Sequence, residues 1–280
     1  MHIKLASALA VGTVALALAS APAADARTRT AQAAAWAPAA TATIHPGVMT
    51  YTDGGQCTAN FVYQDGTGTT YLGQAAHCSG TDGNTATNGC TSHSLPLGTP
   101  VEVDGASRPG TMVYNSWLAM QAAGEKNADT CAYNDLALIK LDPADVANVN
   151  PSVPTMGGPS GLNGSGLALG DQVFTYGNSS LRLGISALSP KTGYSLGDDG
   201  NGWSHAVYTV TPGIPGDSGS GLMDDQGRAT GVLSTVAIAP IPASNNFGDL
   251  AKELSYLSTH SSLAGVHLVP GTEPFTGSLI

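Results

Sequence analysis

The sequence predicts an all-β protein made of two antiparallel β units and one C-terminal α-helix. Three observations lead there. Short Val/Thr/Tyr-rich runs recur along the chain between turn signals. Glycine and proline are abundant, with 36 and 17 of 280 residues. Only one stretch, "FGDLAKELSYLSTH" (residues 247–260), is convincingly helical. There Phe247, Leu250, Ala251, Leu254 and Leu257 recur at helical spacing, and Asp249 suits the positive first turn.

Taken in order, residues 1–26 form a secretory signal peptide: a basic start, an apolar run and the small residues "APAADA". The apolar run is too short for a bilayer span, so no membrane association is expected after cleavage. Residues 27–43 are Ala/Thr-rich and read as a flexible leader or short pro-segment. The first β unit, residues 44–145, contains the strand-like runs "CTANFVYQ", "TTYLGQAA", "TPVEVDG", "RPGTMVYN" and "DLALIKL". A Pro/Asn/Gly-rich stretch centred on residues 146–165 links it to the second unit. That unit, residues 166–260, carries "GDQVFTYG", "RLGISAL", "HAVYTVT" and a hairpin turning at "DDQG", and it ends in the helix. Residues 261–280 read as a tail.

Charged residues make up 11% of the chain and the net charge is −10. An acidic, lightly charged surface gives no footprint for nucleic acid or anionic lipid. Four cysteines, Cys57, Cys78, Cys90 and Cys131, all fall in the first half. In an exported chain they read as two disulfides, with three pairings open. No CxxC spacing points to zinc.

Three short stretches bear on chemistry. "GQAAHCSG" ends an apolar strand on His77, "CAYNDLALIKL" sets Asp135 before another, and "GDSGSG" carries Ser218. Singly, each has an ordinary reading as packing, turn or loop. Together they are the three residue types that acyl transfer needs: a hydroxyl nucleophile, a base titrating near neutrality and a carboxylate that orients the base.

In that order, "AAHC", "NDLAL" and "GDSG" resemble the chymotrypsin-like serine proteases, more particularly their secreted bacterial branch; the likeness runs from about Ile44 to His260. The resemblance implies two six-stranded antiparallel β-barrels with the site in the cleft between them. It implies His77 as general base and acid, Asp135 as its orienting group and Ser218 as nucleophile. The amides of Gly216 and Ser218 would form the oxyanion hole. It also implies a disulfide between Cys57 and Cys78, and with it one between Cys90 and Cys131. The expected molecule is a secreted monomer acting on polypeptides, without cofactor or metal; "LGDDGNG" reads as a solvated turn rather than a calcium site. Two alternatives are a non-catalytic binding protein on the same scaffold and an esterase.

The sequence departs from the family in places. No "IVGG"-like start precedes Cys57 to supply an amino group for Asp217, and Arg182 is the candidate partner in its stead. "GDSGSG" replaces the commoner "GDSGGP". By alignment from Ser218, Pro212 falls at the base of the primary specificity pocket, and Ser234, Thr235 and Val236 on its wall. Leu233 stands where glutamate-specific relatives carry a histidine. No acid meets a cationic side chain, and Val236 narrows the pocket, so small or medium apolar residues are the expected preference.

Overall fold

The computed structural model describes residues 36–53, 55–83, 87–236 and 244–280. The expected signal peptide and the leader up to residue 35 lie outside the described residues.

In the first half, β1 (Met49–Thr52), β2 (Gly55–Thr58), β3 (Val62–Gln64), β4 (Thr70–Ala75), β5 (Pro100–Val103), β6 (Gly110–Asn115) and β7 (Leu136–Lys140) pair in the order β3-β4-β7-β6-β5-β1-β2. β2 and β3 are two halves of one bent segment. The first half pairs with β1 and the second with β4, so the segment closes a six-stranded ring. Asn60 holds the bend: its Oδ1 accepts the Phe61 N–H at 2.7 Å and the Tyr63 hydroxyl at 2.9 Å. Every residue of β4 is buried.

Two helices interrupt this half, α1 (Ser116–Ala123) and α2 (Ala128–Tyr133). Neither was expected, because their apolar residues keep no clean helical stripe. The local signals are caps. Asn115 Oδ1 accepts the N–H groups of Trp117 and Leu118, Gly124 ends α1 at φ 66°, and Asn127 caps α2.

The second half holds β8 (Gly161–Leu162), β9 (Gln172–Tyr176), β10 (Pro190–Asp199), β11 (Ser204–Thr209), β12 (Gly221–Asp224), β13 (Arg228–Val236) and β14 (Asn245–Asp249). Their order is β12-β9-β10-β11-β14-β13-β8, and pairing of β12 with β13 closes a second six-stranded barrel. The fold is the expected one of two antiparallel barrels. The strand expected at "RLGISAL" is instead two short 3-10 turns, Ser180–Arg182 and Ser186–Leu188, with Leu183 at φ 54° between them. β10 went unrecognised because glycines and a lysine break its alternation.

α3 (Leu250–His260) forms where the periodicity predicted a helix, and Asp249 is its N-cap, accepting the Lys252 N–H at 2.8 Å. The other carboxylate oxygen of Asp249 meets His205 Nε2 at 3.0 Å, while His205 Nδ1 meets Asp198 at 2.6 Å. His205 is fully buried. Burial lowers its proton affinity, but bonds to two carboxylates raise it further, so its pKa lies above the ordinary value.

The described end of the leader and the C-terminal tail are both bound to the body. Within the leader, the Ala37 N–H bonds Val149 C=O at 2.9 Å and Thr43 Oγ1 bonds Gly105 C=O at 2.9 Å. The tail forms β15 (His267–Leu268), which pairs with β3. Beyond it the Gly271 N–H reaches Pro159 C=O, and the Phe275 ring packs edge-on against Phe174 at 5.2 Å. Single backbone bonds and isolated rings leave no periodic trace, which is why neither segment was legible.

Both expected disulfides are formed, Cys57–Cys78 and Cys90–Cys131.

Candidate active site

His77 sits on a 3-10 turn, Ala76–Ser79, directly after β4, and Asp135 directly precedes β7. These strand ends are neighbours, Ala75 pairing with Leu136. Antiparallel pairing therefore brings the imidazole and the carboxylate together. The backbone tightens the junction: the Ala76 N–H bonds Asp135 C=O at 2.9 Å, and the His77 N–H bonds Asp135 Oδ1 at 2.8 Å. His77 Nδ1 lies 2.7 Å from Asp135 Oδ2. That contact assigns the proton to Nδ1 and leaves Nε2 free to accept another.

The same Oδ2 accepts the Ser234 hydroxyl at 2.6 Å. β13 carries a register shift between Leu233 and Thr235, and this bulge turns Ser234 towards the other barrel. Asp135 is 3% exposed, and three donors meet its carboxylate. Its own N–H goes to Glu253 Oε1 at 2.8 Å. Burial lowers the His77 pKa, but the charge and hydrogen bond of Asp135 raise it to a net value above the usual histidine range.

Ser218 lies on the turn before β12 and lines the same cleft as His77 and Asp135, a cavity of about 900 Å³ between the barrels. Its C=O accepts the Thr58 N–H at 2.8 Å, docking the turn onto the first barrel. No hydrogen bond joins Ser218 Oγ to His77 among the described residues.

Gly216 has φ 96°, a conformation that favours glycine, and a Cβ there would collide with Gln56 Oε1 and Ser179 Oγ. The peptide before it is held from one side: Pro215 C=O accepts Ser179 Oγ at 2.6 Å. A trans peptide directs its N–H opposite to its C=O, so Gly216 N–H faces away from Ser179. Gly216 C=O accepts Gln56 Nε2 at 2.9 Å and Thr58 Oγ1 at 2.8 Å. The N–H groups of Gly216 and Ser218 have no hydrogen-bond acceptor among the described residues. Both residues line the cleft.

Asp217 is fully buried, and Arg182 Nη2 meets its Oδ2 at 2.6 Å, as expected. A second cation was not foreseen: buried Lys191 stands 3.4 Å from the same oxygen. Burial lowers its pKa to about 8, against the attraction of Asp217.

Of the expected specificity residues, two line the cleft and Pro212 does not. Ser234 and Thr235 line the cleft, but the Ser234 hydroxyl is directed at Asp135. Pro212 is not among the lining residues, because Arg182 holds its carbonyl at 3.1 Å. Asn245 clamps the next residue, accepting the Gly213 N–H at 2.8 Å. Ile214, Leu181 and Leu233 supply apolar lining instead. The Val236 side chain lies outside the described residues. Cys57, His77 and Cys78 are close enough to suggest a metal, but the two sulfurs are bonded to each other and offer no thiolate. Sequence reading missed Gln56, Ser179, Lys191 and Glu253, which act through backbone atoms or through contacts between distant segments.

No protein-family model matches the sequence, and no curated protein matches it. Among solved structures the chain superposes on Thermobifida fusca Protease A with a TM-score of 0.53 at 18% identity, covering 81% of this chain and 99% of that one. A chymotrypsin of Cellulomonas bogoriensis aligns at 16% identity and TM-score 0.49, covering 81% and 98%. A Nocardiopsis protease aligns at 16% and 0.48, covering 80% and 98%. The first superposition and the paired six-stranded rings agree: the chain has the chymotrypsin-like fold.

Proposed function

We propose that the protein is a secreted serine endopeptidase. The observation that carries this is the hydrogen-bonded line Ser234–Asp135–His77, facing Ser218 across a cleft where two backbone N–H groups lack acceptors among the described residues. In this reading His77 Nε2 takes the Ser218 proton as Oγ attacks the scissile carbonyl. The tetrahedral oxyanion then forms against the N–H groups of Gly216 and Ser218, and Asp135 stabilises the imidazolium. His77 returns the proton to the leaving amine, and water hydrolyses the acyl-enzyme by the same route.

Polypeptide substrates suit a cleft of this size, open between two barrels, and the protease scaffold supports them. Apolar lining by Ile214, Leu181 and Leu233 supports a preference for small or medium apolar residues. Two disulfides and the apolar N-terminal sequence support export. Among the described residues no helix is long and apolar enough to cross a membrane.

The test is covalent labelling. A fluorophosphonate should modify Ser218 in the folded protein, and Ser218→Ala should abolish both labelling and peptide hydrolysis. A folded preparation that resists labelling would leave the scaffold without its chemistry and favour a binding role.

A further inference from the structure

An acidic residue in the first turn of a helix ordinarily faces water, near the positive end of the helix. Glu253 does the opposite. It is in the first turn of α3, yet it is fully buried and points behind the catalytic carboxylate. Space is made for it by Gly248, where a Cβ would stand 2.6 Å from Glu253 Oε1. That oxygen accepts the Asp135 N–H at 2.8 Å, and Oε2 has no partner among the described residues. No cation pairs with it among those residues. The titratable groups facing it are Asp135 ahead of β7, Asp249 at the end of β14, Tyr63 on β3 and Tyr114 on β6. Burial, then the charges of Asp135 and Asp249, push its pKa well above the usual carboxylate range against the opposing pull of the Asp135 N–H.

We propose that Glu253 is the positioning residue of the triad: a buried carboxyl group that fixes the backbone of Asp135 from behind and ties it to α3. The role in turnover rests on the serine-peptidase reading; the contact itself does not. Asp135 begins a strand, so no ladder partner on that side holds its N–H. A buried N–H without an acceptor is unfavourable, and relief by a shift of the backbone would carry the carboxylate away from His77. An ionised acceptor would hold the backbone equally well but would add a second negative charge near the imidazole, favouring imidazolium and withdrawing the base from use at neutral pH. A neutral acceptor gives the first effect without the second.

The test uses Glu253→Leu, which removes the acceptor at similar volume, and Glu253→Gln, which keeps an acceptor without a titrating group. The readouts are kcat and KM on an amide substrate and the His77 titration followed by NMR, which needs no activity. Glu253→Leu should lower kcat about tenfold with KM unchanged and displace the His77 titration, and Glu253→Gln should restore at least half of the wild-type kcat with the titration in place. Wild-type kcat and titration in Glu253→Leu would make the residue a spectator. A fall of about one pH unit in the His77 titration of Glu253→Gln would show Glu253 to be charged and overturn the proposal. That second measurement decides even if Glu253→Leu does not fold. Failure of wild-type Ser218 to react with a fluorophosphonate would instead count against the peptidase reading, while the His77 titrations would still judge Glu253.

Discussion

Replacing Ser179 by alanine should release the Pro215–Gly216 peptide and blur the proposed oxyanion site. One neutral hydrogen bond, Ser179 Oγ to Pro215 C=O at 2.6 Å, holds that peptide's carbonyl, while Gly216 C=O keeps its bonds to Gln56 and Thr58. A neutral hydrogen bond contributes about 0.5–1.5 kcal/mol net, so its loss shifts the population of the competent orientation by about two- to tenfold. Complete loss of an oxyanion donor costs about a hundred- to a thousandfold in kcat, which sets the upper bound. The assay is kcat and KM on an amide substrate, with the affinity of a peptide aldehyde as a measure of oxyanion binding. Ser179→Ala should lower kcat and aldehyde affinity together by about two- to tenfold, with KM nearly constant, and Ser179→Thr should recover most of both. If neither quantity moves, the hydroxyl does not orient the peptide. A hundredfold loss would mean that Ser179 holds more of the loop than this one carbonyl.

The acid limb of activity should reflect His77. Only neutral imidazole accepts the serine proton, and its pKa is raised, so kcat/KM should reach half its plateau above about pH 6.5; a rate constant down to pH 5 would remove His77 as the base. Arg182→Met should cost about 3–5 kcal/mol in urea denaturation, because Asp217 is fully buried and Lys191 would be the one cation left beside it among the described residues, with the Ile214 N–H. A loss below about 1 kcal/mol would show that the lysine alone suffices. The third expectation concerns His205, whose folded pKa is raised. Its contribution is complete below the unfolded value near 6.5 and is lost as pH rises through the folded value. Wild type should therefore lose more thermal stability on the alkaline side than His205→Gln, and parallel stability curves for the two would refute the assignment.

The features legible in the sequence are those that short motifs encode. "AAHC", "NDLAL" and "GDSG" mark residues on strand ends and a turn, where local chemistry and position coincide. The helix at Leu250–His260 declared itself through its apolar spacing. Features built from contacts between distant segments were not legible. Gln56 and Gly216 meet across 160 positions, and Asp135 and Glu253 across 118. In each pair one partner is a backbone atom, and a backbone atom leaves no mark on residue type. Pro212 illustrates the converse. Its place in an alignment was clear, but Arg182 and Asn245 decide which way that loop faces.

The C-terminal strap also constrains when the molecule becomes whole. β15 lies along β3, more than 200 positions earlier, and Gly271 and Thr276 bond Pro159 and Met156 in the stretch between the barrels. Pairings of such separation form late, because the chain must close a very large loop before they contribute. A polypeptide emerging N-terminus first can therefore have His77, Asp135 and Ser218 all outside while the flank of its first barrel is still uncovered. Completion waits on a stretch that contains none of the three residues. Cutting the chain between His260 and His267 would leave each barrel's ring of strands intact. It would convert the strap from an intramolecular clasp into a separate ligand, held only as tightly as its few backbone bonds and the Phe275 ring allow.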